Sequence, residues 1–194
     1  MKHLILGELR PSPSGWLTGI AMPAFLACHE RWDRDGNERR DTRDEERRQG
    51  RFSALLLYAD GRCFQRSDKR FRSGGKVDDL ALPSDPQIAA FDYLARNQAQ
   101  VAHELFTALV QEAPRIFPWF VEDLPDEVVR LLSTVEGMMG AVEFEGPVFG
   151  LHVEDSCVRV GFPFHSDLLD TEHGVGVVMY RDQVLEIGQQ DVLF

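Results

Sequence analysis

The spacing of apolar residues changes once along this chain, and the change limits the folds that the chain can adopt. From Pro86 to Ala113 apolar side chains recur mostly every third or fourth residue, whereas from Val142 onward they recur mostly every second residue. The first spacing places them on one face of a helix and the second on one face of a strand. The sequence therefore predicts helices followed by a sheet, which is an α+β fold.

Two helices are predicted before the sheet. The long one covers residues 86–113, where Asp85 can cap the free amides of the first turn, and it stops at Pro114 because proline cannot continue the hydrogen-bond pattern. A shorter amphipathic helix is predicted over residues 125–139 and ends at Gly140.

Five short β-type segments follow the helices. Consecutive short strands with tight turns form an antiparallel meander, so we expect a meander packed against one long helix and one shorter helix. The segments cover residues 142–144, 148–153, 158–164, 175–180 and 184–187, with a loop at 165–174.

The first eighty residues predict further strands around a charged loop. The N-terminal segment is predicted as a strand with Leu4 and Leu6 on one side, and residues 52–65 as a β-hairpin that turns at an Asp-Gly pair. Sixteen of the residues 30–51 are charged, eight of each sign, which predicts a solvated loop with at most a short exposed helix.

The length of 194 residues is enough for one domain with a real core. No linker rich in Gly, Ser or Pro separates two halves cleanly, so we expect a single domain over residues 1–194. The best candidate for an internal boundary lies near residues 73–86.

Acidic residues outnumber basic ones, and the excess lies late in the chain. The formal net charge is −11, and residues 81–194 contain 19 acidic and only 5 basic residues. This charge repels nucleic-acid phosphates and anionic membrane surfaces, so neither is expected as a partner. An acidic C-terminal half suits a basic protein, a metal ion or simply solubility.

Two further features indicate the compartment. No apolar run approaches the roughly 20 residues of a membrane helix, and the N-terminal residues lack the apolar region of a signal peptide. Cys28, Cys63 and Cys157 form no Cys-x-x-Cys pair, so neither a disulfide framework nor a thiolate zinc site is indicated. We expect a cytoplasmic protein, and its oligomeric state stays open.

Three motifs follow one another near the C-terminal end. They are Gly-Phe-Pro-Phe at 161–164, Asp-Thr-Glu-His-Gly-Val-Gly-Val at 170–177 and Ile-Gly-Gln-Gln-Asp at 187–191. These motifs, in this order, resemble the C-terminal signature of a bacterial family known only as a domain of unknown function, DUF6985. The Tyr93-Leu94-x-x-Asn97 pattern of the long helix is also similar to that family. The resemblance covers roughly residues 84–194.

The resemblance implies a protein-binding role, because some members of the family lie beside bacterial toxin and immunity genes. The family has no enzymatic activity that can be transferred to this chain. One position departs from the family pattern. Leu169 stands where the family usually has tryptophan, so any role of that indole is absent here or supplied by another residue such as Trp119.

The densest group of polar residues, which we term the polar segment, covers residues 165–173. Imidazole and carboxylate groups are the ligands that zinc and similar ions prefer, which makes this segment a possible metal site. Alternatively, Asp170 and Glu172 accept hydrogen bonds from loop amides and His173 donates to a carboxylate, while Gly174 allows close backbone approach. We favour this loop-structuring alternative. The metal-ligand candidates are His165, Asp170, Glu172 and His173.

The polar segment also contains the residue types of a hydrolase. Ser166 could combine with Asp170 and one of the two histidines, but no Gly-x-Ser-x-Gly turn accompanies it. Glu172 and His173 could instead form an acid–base pair. We therefore assign no catalytic residue and expect no cofactor.

Two functions remain open. The first is an interaction protein of the immunity type, which binds a basic, toxin-like partner through its acidic C-terminal half. The second is a metal-binding domain or a hydrolase centred on the Asp-x-Glu-His residues. The partner-binding or loop-structuring candidates are Asp170, Glu172, His173, Gly174 and Trp119.

Overall fold

An eight-stranded sheet runs through the part of the chain that the computed structural model describes. This part comprises residues 2–12, 15–57, 82–118, 124–154 and 157–193, with side chains except at 151–154 and 157. The strands are β1 (Lys2–His3), β2 (Gly7–Glu8), β3 (Arg10–Pro11), β4 (Gly15–Ala21), β5 (Arg51–Leu57), β6 (Glu143–Phe144), β7 (Val148–Glu154), β8 (Cys157–Ser166), β9 (Asp170–Tyr180) and β10 (Gln183–Gly188). The helices are α1 (Glu45–Arg48), α2 (Asp85–Ile116), α3 (Asp126–Leu132) and α4 (Val135–Met139), with 3-10 turns at Pro23–Phe25 and Gln190–Leu193.

The predicted α+β class is confirmed, but the sheet is not a simple meander. Its order is β10-β9-β8-β7-β5-β4-β3, with β6 beside β8. Strands β7 to β10 form the predicted antiparallel series, whereas β5 lies parallel to β7, with Leu55 opposite Val148. A parallel pair requires a long crossover, and α2 lies in the connection between these two strands. Strands from both halves of the sequence therefore share one sheet.

The long helix begins one residue earlier and ends three residues later than the predicted range of 86–113. Ser84, and not Asp85, occupies the N-cap position, because the Gln87 side chain folds back and accepts a 2.9 Å hydrogen bond from the Ser84 amide. At the other end the helix continues past Pro114 to Ile116. The next amide, that of Phe117, still donates to the Ala113 carbonyl at 2.8 Å, so the proline removes only one bond.

The prediction of one shorter helix over residues 125–139 is wrong in one respect, because this segment forms two short helices, α3 and α4. The chain leaves the first helix at Ser133, and the Thr134 side chain accepts a hydrogen bond from the Gly137 amide at 3.0 Å. A threonine in this position starts a new helix because it satisfies an amide that has no partner within the helix.

The N-terminal prediction also needs correction. Leu4 and Leu6 do not lie on one side of a strand, because the chain reverses between β1 and β2. Leu4 is fully exposed and Leu6 is 2% exposed. The His3 imidazole accepts hydrogen bonds from the amides of Ile5 and Leu6 at 3.3 Å, which stabilises the turn. Of the hairpin predicted at 52–65, the described residues are 52–57, which lie in β5. Of the candidate boundary near 73–86, the described residues are 82–86.

Phenylalanine rings from several elements form the centre of the core. Phe106 of α2 packs against Phe164 of β8, and Phe144 of β6 lies between Phe25 and Phe164, with ring centroids 4.6 Å and 5.3 Å away. All four side chains are fully buried. These rings fix α2 on one face of the sheet. Among the described helices, not even α2 has an apolar stretch that could cross a membrane.

Candidate functional site

The polar segment is a tight turn followed by a strand, and not the loop over 165–174 that the sequence suggested. Strand β8 continues to Ser166, the turn occupies residues 167–169, and β9 begins at Asp170. Ser166 lies opposite Asp170 in the β8–β9 register. The polar residues are therefore placed by a β-hairpin, which holds them more rigidly than a long loop would.

Ser166 is a structural residue in this hairpin. Its side chain is fully buried, and its hydroxyl donates to the Ala141 carbonyl at 2.8 Å while accepting from the Leu169 amide at 3.1 Å. A serine nucleophile needs its oxygen beside an imidazole and open to substrate. The geometry of Ser166 meets neither condition.

Asp170 is the best-connected member of the polar segment. It is 5% exposed, and one carboxylate oxygen accepts hydrogen bonds from the amides of Glu172 at 3.1 Å and His173 at 2.9 Å. The other oxygen accepts from the Gln189 side chain at 2.8 Å. Burial alone would raise the pKa of Asp170, but these hydrogen bonds outweigh it and lower the pKa below its ordinary value.

His173 and Glu172 lie at the surface beside Asp170. The Nδ1 atom of His173 is 3.3 Å from an Asp170 oxygen, and the ring is 56% exposed. Glu172 forms no ion pair within the described residues, and its side chain is exposed. The loop-structuring alternative assigned hydrogen bonds from loop amides to both carboxylates, and within the described part of the chain Asp170 alone accepts them.

Two glycines of β9 allow the chain to pack closely. Gly174 has a φ of +65°, and a Cβ atom there would lie 2.6 Å from the Phe164 carbonyl oxygen. A Cβ atom on Gly176 would lie 2.7 Å from the Gln189 carbonyl oxygen. Any larger residue at either position would collide with backbone. The Gly-x-Gly pattern therefore seats the C-terminal 3-10 turn, Gln190–Leu193, on the sheet.

The four predicted metal ligands do not come together. His165 pairs with Asp167, with 3.3 Å between Nε2 and Oδ1, while Asp170 and His173 form a separate pair. Among the described residues, the group with three possible ligand atoms within 4.8 Å of one another combines Glu30, His165 and Asp167. The sequence prediction of the ligand set is thus not supported by the geometry.

An arginine already balances the charge of that group. Arg39 forms ion pairs with Glu30 at 2.6 Å and with Asp167 at 2.5 Å. Glu30 also accepts a hydrogen bond from the Asp167 amide. Burial raises the pKa of the Glu30 carboxyl above its ordinary value, although the hydrogen bond from the Asp167 amide and the charge of Arg39 oppose this shift. A metal ion would have to displace the Arg39 guanidinium, so this group is an ion-pair network that joins two distant parts of the chain.

The polar segment lines a small cleft, which we term the Asp170 cleft. Arg34 forms one wall, donating to the Asp167 carbonyl at 3.0 Å and to the Thr171 hydroxyl at 3.4 Å. The cleft has a volume of about 350 Å³. Its lining residues are Arg34, Asp170, Thr171, Glu172, His173 and Gln189.

Residues of the charged loop were missed as members of this site. Glu30, Arg34 and Arg39 are more than 120 positions from Asp167, and nothing local in the sequence marks them. The predicted solvated loop is therefore only partly solvated, since its charges contact the β8–β9 turn. Trp119 lies outside the described residues, so its predicted role is not addressed by the structure.

The sequence profile of a domain of unknown function, DUF6985, matches residues 63–194. The chain belongs to the DUF6985 family. The match begins before the part identified from motifs, residues 84–194, and it includes α2 and every strand from β6 to β10. No curated protein and no solved structure matches the chain.

The DUF6985 region contains a second feature on its surface, a shallow groove between α2 and the β9–β10 turn. We term it the acidic groove; its volume is about 540 Å³. Glu104 on α2 and Asp182 in the turn provide its two charges, and no basic side chain among the described residues lines it. The other lining residues are Thr107, Ala108, Gln111, Gln183 and Val184.

The acidic groove is held in shape by a hydrogen bond across one end. The Gln100 side chain donates to the Asp182 carboxylate at 2.6 Å, which ties the turn to the helix. Neither Glu104 nor Asp182 forms an ion pair within the described part of the chain. Both carboxylates are therefore open to a cation supplied from outside.

Proposed function

We propose that this DUF6985 protein is a protein-interaction domain that binds a basic protein partner through the acidic groove. The observation that carries the proposal is the pair of carboxylates, Glu104 and Asp182, in a groove that no basic side chain of the described ranges lines. The finer part of the proposal is that the protein is cytoplasmic and of the immunity type, with a toxin-like partner. The immunity type and the toxin-like partner are supported by the resemblance of its motifs to the family, and the cytoplasmic location by cysteines that form no Cys-x-x-Cys pair.

The distribution of ion pairs supports the groove as the acidic surface. Arg39 and Arg47, from the charged loop at residues 30–51, pair with Asp167 and Glu143 of the acidic C-terminal half. These pairs neutralise carboxylates on the β6 and β8 side of the sheet. The acidic groove receives no such arginine from the described residues, so it keeps its charge and attracts a basic surface.

Apolar side chains beside the charges support binding as well as attraction. Val184 and Ala108 lie in the groove, and Leu185, next in β10, is 44% exposed. The register between β9 and β10 shifts at this point, between Val184 and Glu186. Charges at the rim of an interface mainly speed association, whereas buried apolar contacts slow dissociation. The groove offers both.

The hydrogen bonds of the polar segment favour a structural role over catalysis. The Asp170 carboxylate accepts bonds on both oxygens, and the Ser166 hydroxyl is buried. Asp170 and Gln189 connect the start of β9 to the residue that follows β10, so they fix the hairpin that carries Asp182 at its other end. In this proposal the family motif supports the binding surface.

The test uses purified full-length protein and the proteins encoded beside its gene. Binding is measured by isothermal titration calorimetry at about 50 mM and about 200 mM salt. We expect a basic partner whose affinity falls as salt rises. Replacing both groove carboxylates (Glu104→Gln with Asp182→Asn) should weaken binding about tenfold, mainly through a slower association rate.

A matched double variant on another acidic surface is the control. Glu127→Gln with Glu136→Gln removes two exposed carboxylates from α3 and α4 and should leave the affinity within about twofold. The proposal fails if the partner binds the groove variant and the wild type equally, or if the affinity does not depend on salt.

A further inference from the structure

A third concave feature lies between the first half of α2 and the ends of β8 and β9, and we term it the tyrosine cleft. Its volume is about 390 Å³. Val160 and Phe162 belong to its apolar floor and are 6% and 1% exposed. Tyr93, Tyr180 and Arg181 stand around this floor. The cleft thus combines an apolar base, two aromatic rings and a cation.

The cation is held in place by the two rings. The guanidinium carbon of Arg181 lies 5.7 Å from the centroid of the Tyr93 ring and 5.4 Å from that of the Tyr180 ring. Both distances are within the range of cation–π attraction. The faces of the rings position the guanidinium, while its N–H groups remain suited to an anionic acceptor.

Two carboxylates near Arg181, one in the cleft and one next to it in the sequence, contact other residues. Asp92, which also lines the cleft, forms an ion pair with Arg96 at 2.9 Å. Asp182, the next residue in the turn, accepts from Gln100. Within the described ranges Arg181 has no carboxylate in ion-pair distance. The cleft therefore carries one positive charge in excess.

The backbone of Arg181 is unusual for an arginine. It is the first residue of the two-residue turn between β9 and β10, and its φ is +55°. Glycine or asparagine adopts this conformation at lower cost, and both are preferred in such turns. Strained residues of this kind concentrate at binding sites, where the side chain is needed in one position.

We propose that the tyrosine cleft binds a small aromatic carboxylate. The ring of the ligand lies on the apolar floor beside Tyr93 and Tyr180, and its carboxylate pairs with the Arg181 guanidinium, whose planar fork matches two carboxylate oxygens. The volume falls in the range of about 300–1,000 Å³ that small-molecule sites occupy. This site is separate from the acidic groove and does not depend on the function proposed for it.

The ligand class is tested with four probes: benzoate, benzamide, acetate and inorganic phosphate. Binding is measured by saturation-transfer NMR and by chemical-shift titration of the full-length protein. We expect benzoate to bind at least about tenfold more tightly than each of the other three, because it alone supplies both a ring and a planar anion. The shifts should centre on the Tyr93 and Tyr180 resonances.

One variant separates loss of binding from loss of folding. Arg181→Gly removes the guanidinium and also relieves the positive-φ strain, so the melting temperature should stay equal or rise while benzoate affinity falls at least about tenfold. Arg181→Asn, which also tolerates this backbone conformation, should behave in the same way. Arg115→Gln, at the far end of α2, is the control and should bind benzoate as the wild type does.

Three results would overturn the proposal. Benzamide could bind as tightly as benzoate, which would show that the charge has no role. Phosphate could bind more tightly than benzoate, which would assign the cleft to a different anion. Benzoate could bind equally to the wild type and to Arg181→Gly, which would place its site elsewhere.

Discussion

At the scale of single residues, the buried carboxylate of Asp170 determines the path of the chain where β9 begins. It accepts amide hydrogen bonds from Glu172 and His173 and a side-chain bond from Gln189. Three donors around one carboxylate leave little reason for this group to act as a base. Its neighbour Glu172 is exposed and provides a direct comparison.

Asp170→Asn should lower the free energy of unfolding by about 1–3 kcal/mol at pH 7, because an amide cannot accept hydrogen bonds on both of its polar atoms. The native pKa of Asp170 is lowered, so its ionised form stabilises the fold above about pH 4, and that stabilisation is lost as the pH falls through the native pKa. Urea unfolding at several pH values measures the difference between wild type and variant.

Glu172→Gln is the control for this measurement. It changes the same kind of group two residues away, and we expect an effect of less than about 0.5 kcal/mol because the side chain is exposed. An effect of Asp170→Asn as small as that of Glu172→Gln would contradict the structural role assigned to the buried carboxylate.

At the scale of elements, one buried amide attaches the long helix to the sheet. Gln87 is 2% exposed, and its side chain closes the N-terminal turn of α2 by accepting from Ser84. The same side chain donates to the carbonyls of Leu57 at 2.8 Å and Phe149 at 3.4 Å. These two carbonyls belong to β5 and β7, the parallel pair, so Gln87 joins three elements.

Gln87→Ala should cost about 2–4 kcal/mol of unfolding free energy, since it removes the hydrogen bonds to the Leu57 and Phe149 carbonyls and to the Ser84 amide and opens a cavity. Gln111→Ala removes the same side chain from the exposed side of the same helix and should change stability by less than about 0.5 kcal/mol. Chemical denaturation of both variants makes the comparison. Equal midpoints would refute the attachment role.

At the scale of the whole molecule, ion pairs connect parts of the chain that the sequence separates by charge. Arg39 and Arg47 lie in the charged loop and pair with Asp167 and Glu143. Glu30 connects Arg39 to the β8–β9 turn, because it pairs with Arg39 and accepts a hydrogen bond from the Asp167 amide; its side chain is 8% exposed. The charge asymmetry along the sequence is therefore partly cancelled in space.

Arg39→Gln should destabilise the protein by about 1–3 kcal/mol at pH 8, because it leaves the buried Glu30 carboxylate close to Asp167 without a cation. Burial raises the native pKa of Glu30, so its ionised form disfavours folding, and this penalty disappears as Glu30 gains a proton at lower pH. The variant should thus be closer to wild type at about pH 5. Thermal unfolding at both pH values tests this.

Arg115→Gln removes an exposed arginine from an ion pair with Glu112, three residues earlier on α2, and serves as the control. We expect less than about 0.5 kcal/mol and no dependence on pH in this range. If Arg39→Gln behaves in the same way, the network contributes nothing to stability.

Local sequence patterns predicted the elements better than their arrangement. The period of α2 and the alternation of β7 to β10 are local, and both were found with errors of a few residues. The parallel contact between Leu55 and Val148 depends on pairing across the whole middle of the chain, which no short window contains. The meander was therefore only partly right.

The candidate site was predicted in part for the same reason. Asp170 and His173 are three residues apart in the sequence and lie together in the structure. Gly174, the next residue, lies where the backbone has a positive φ. The contacts of Asp167 with Glu30 and Arg39 bring in a distant loop, which composition alone described as solvated. Clusters built from one segment are visible in the sequence, whereas clusters built by topology are not.

The parallel pairing of β5 with β7 also sets an order of events on the ribosome. Leu55 leaves the exit tunnel 93 residues ahead of Val148, its partner in the register. At about 5–20 residues per second this interval lasts roughly 5–20 seconds. During that time the unpaired edge of β5 is available to strands of other nascent chains. The yield of folded protein should therefore fall as the concentration of nascent chains rises, and chaperones that cover this edge should restore it.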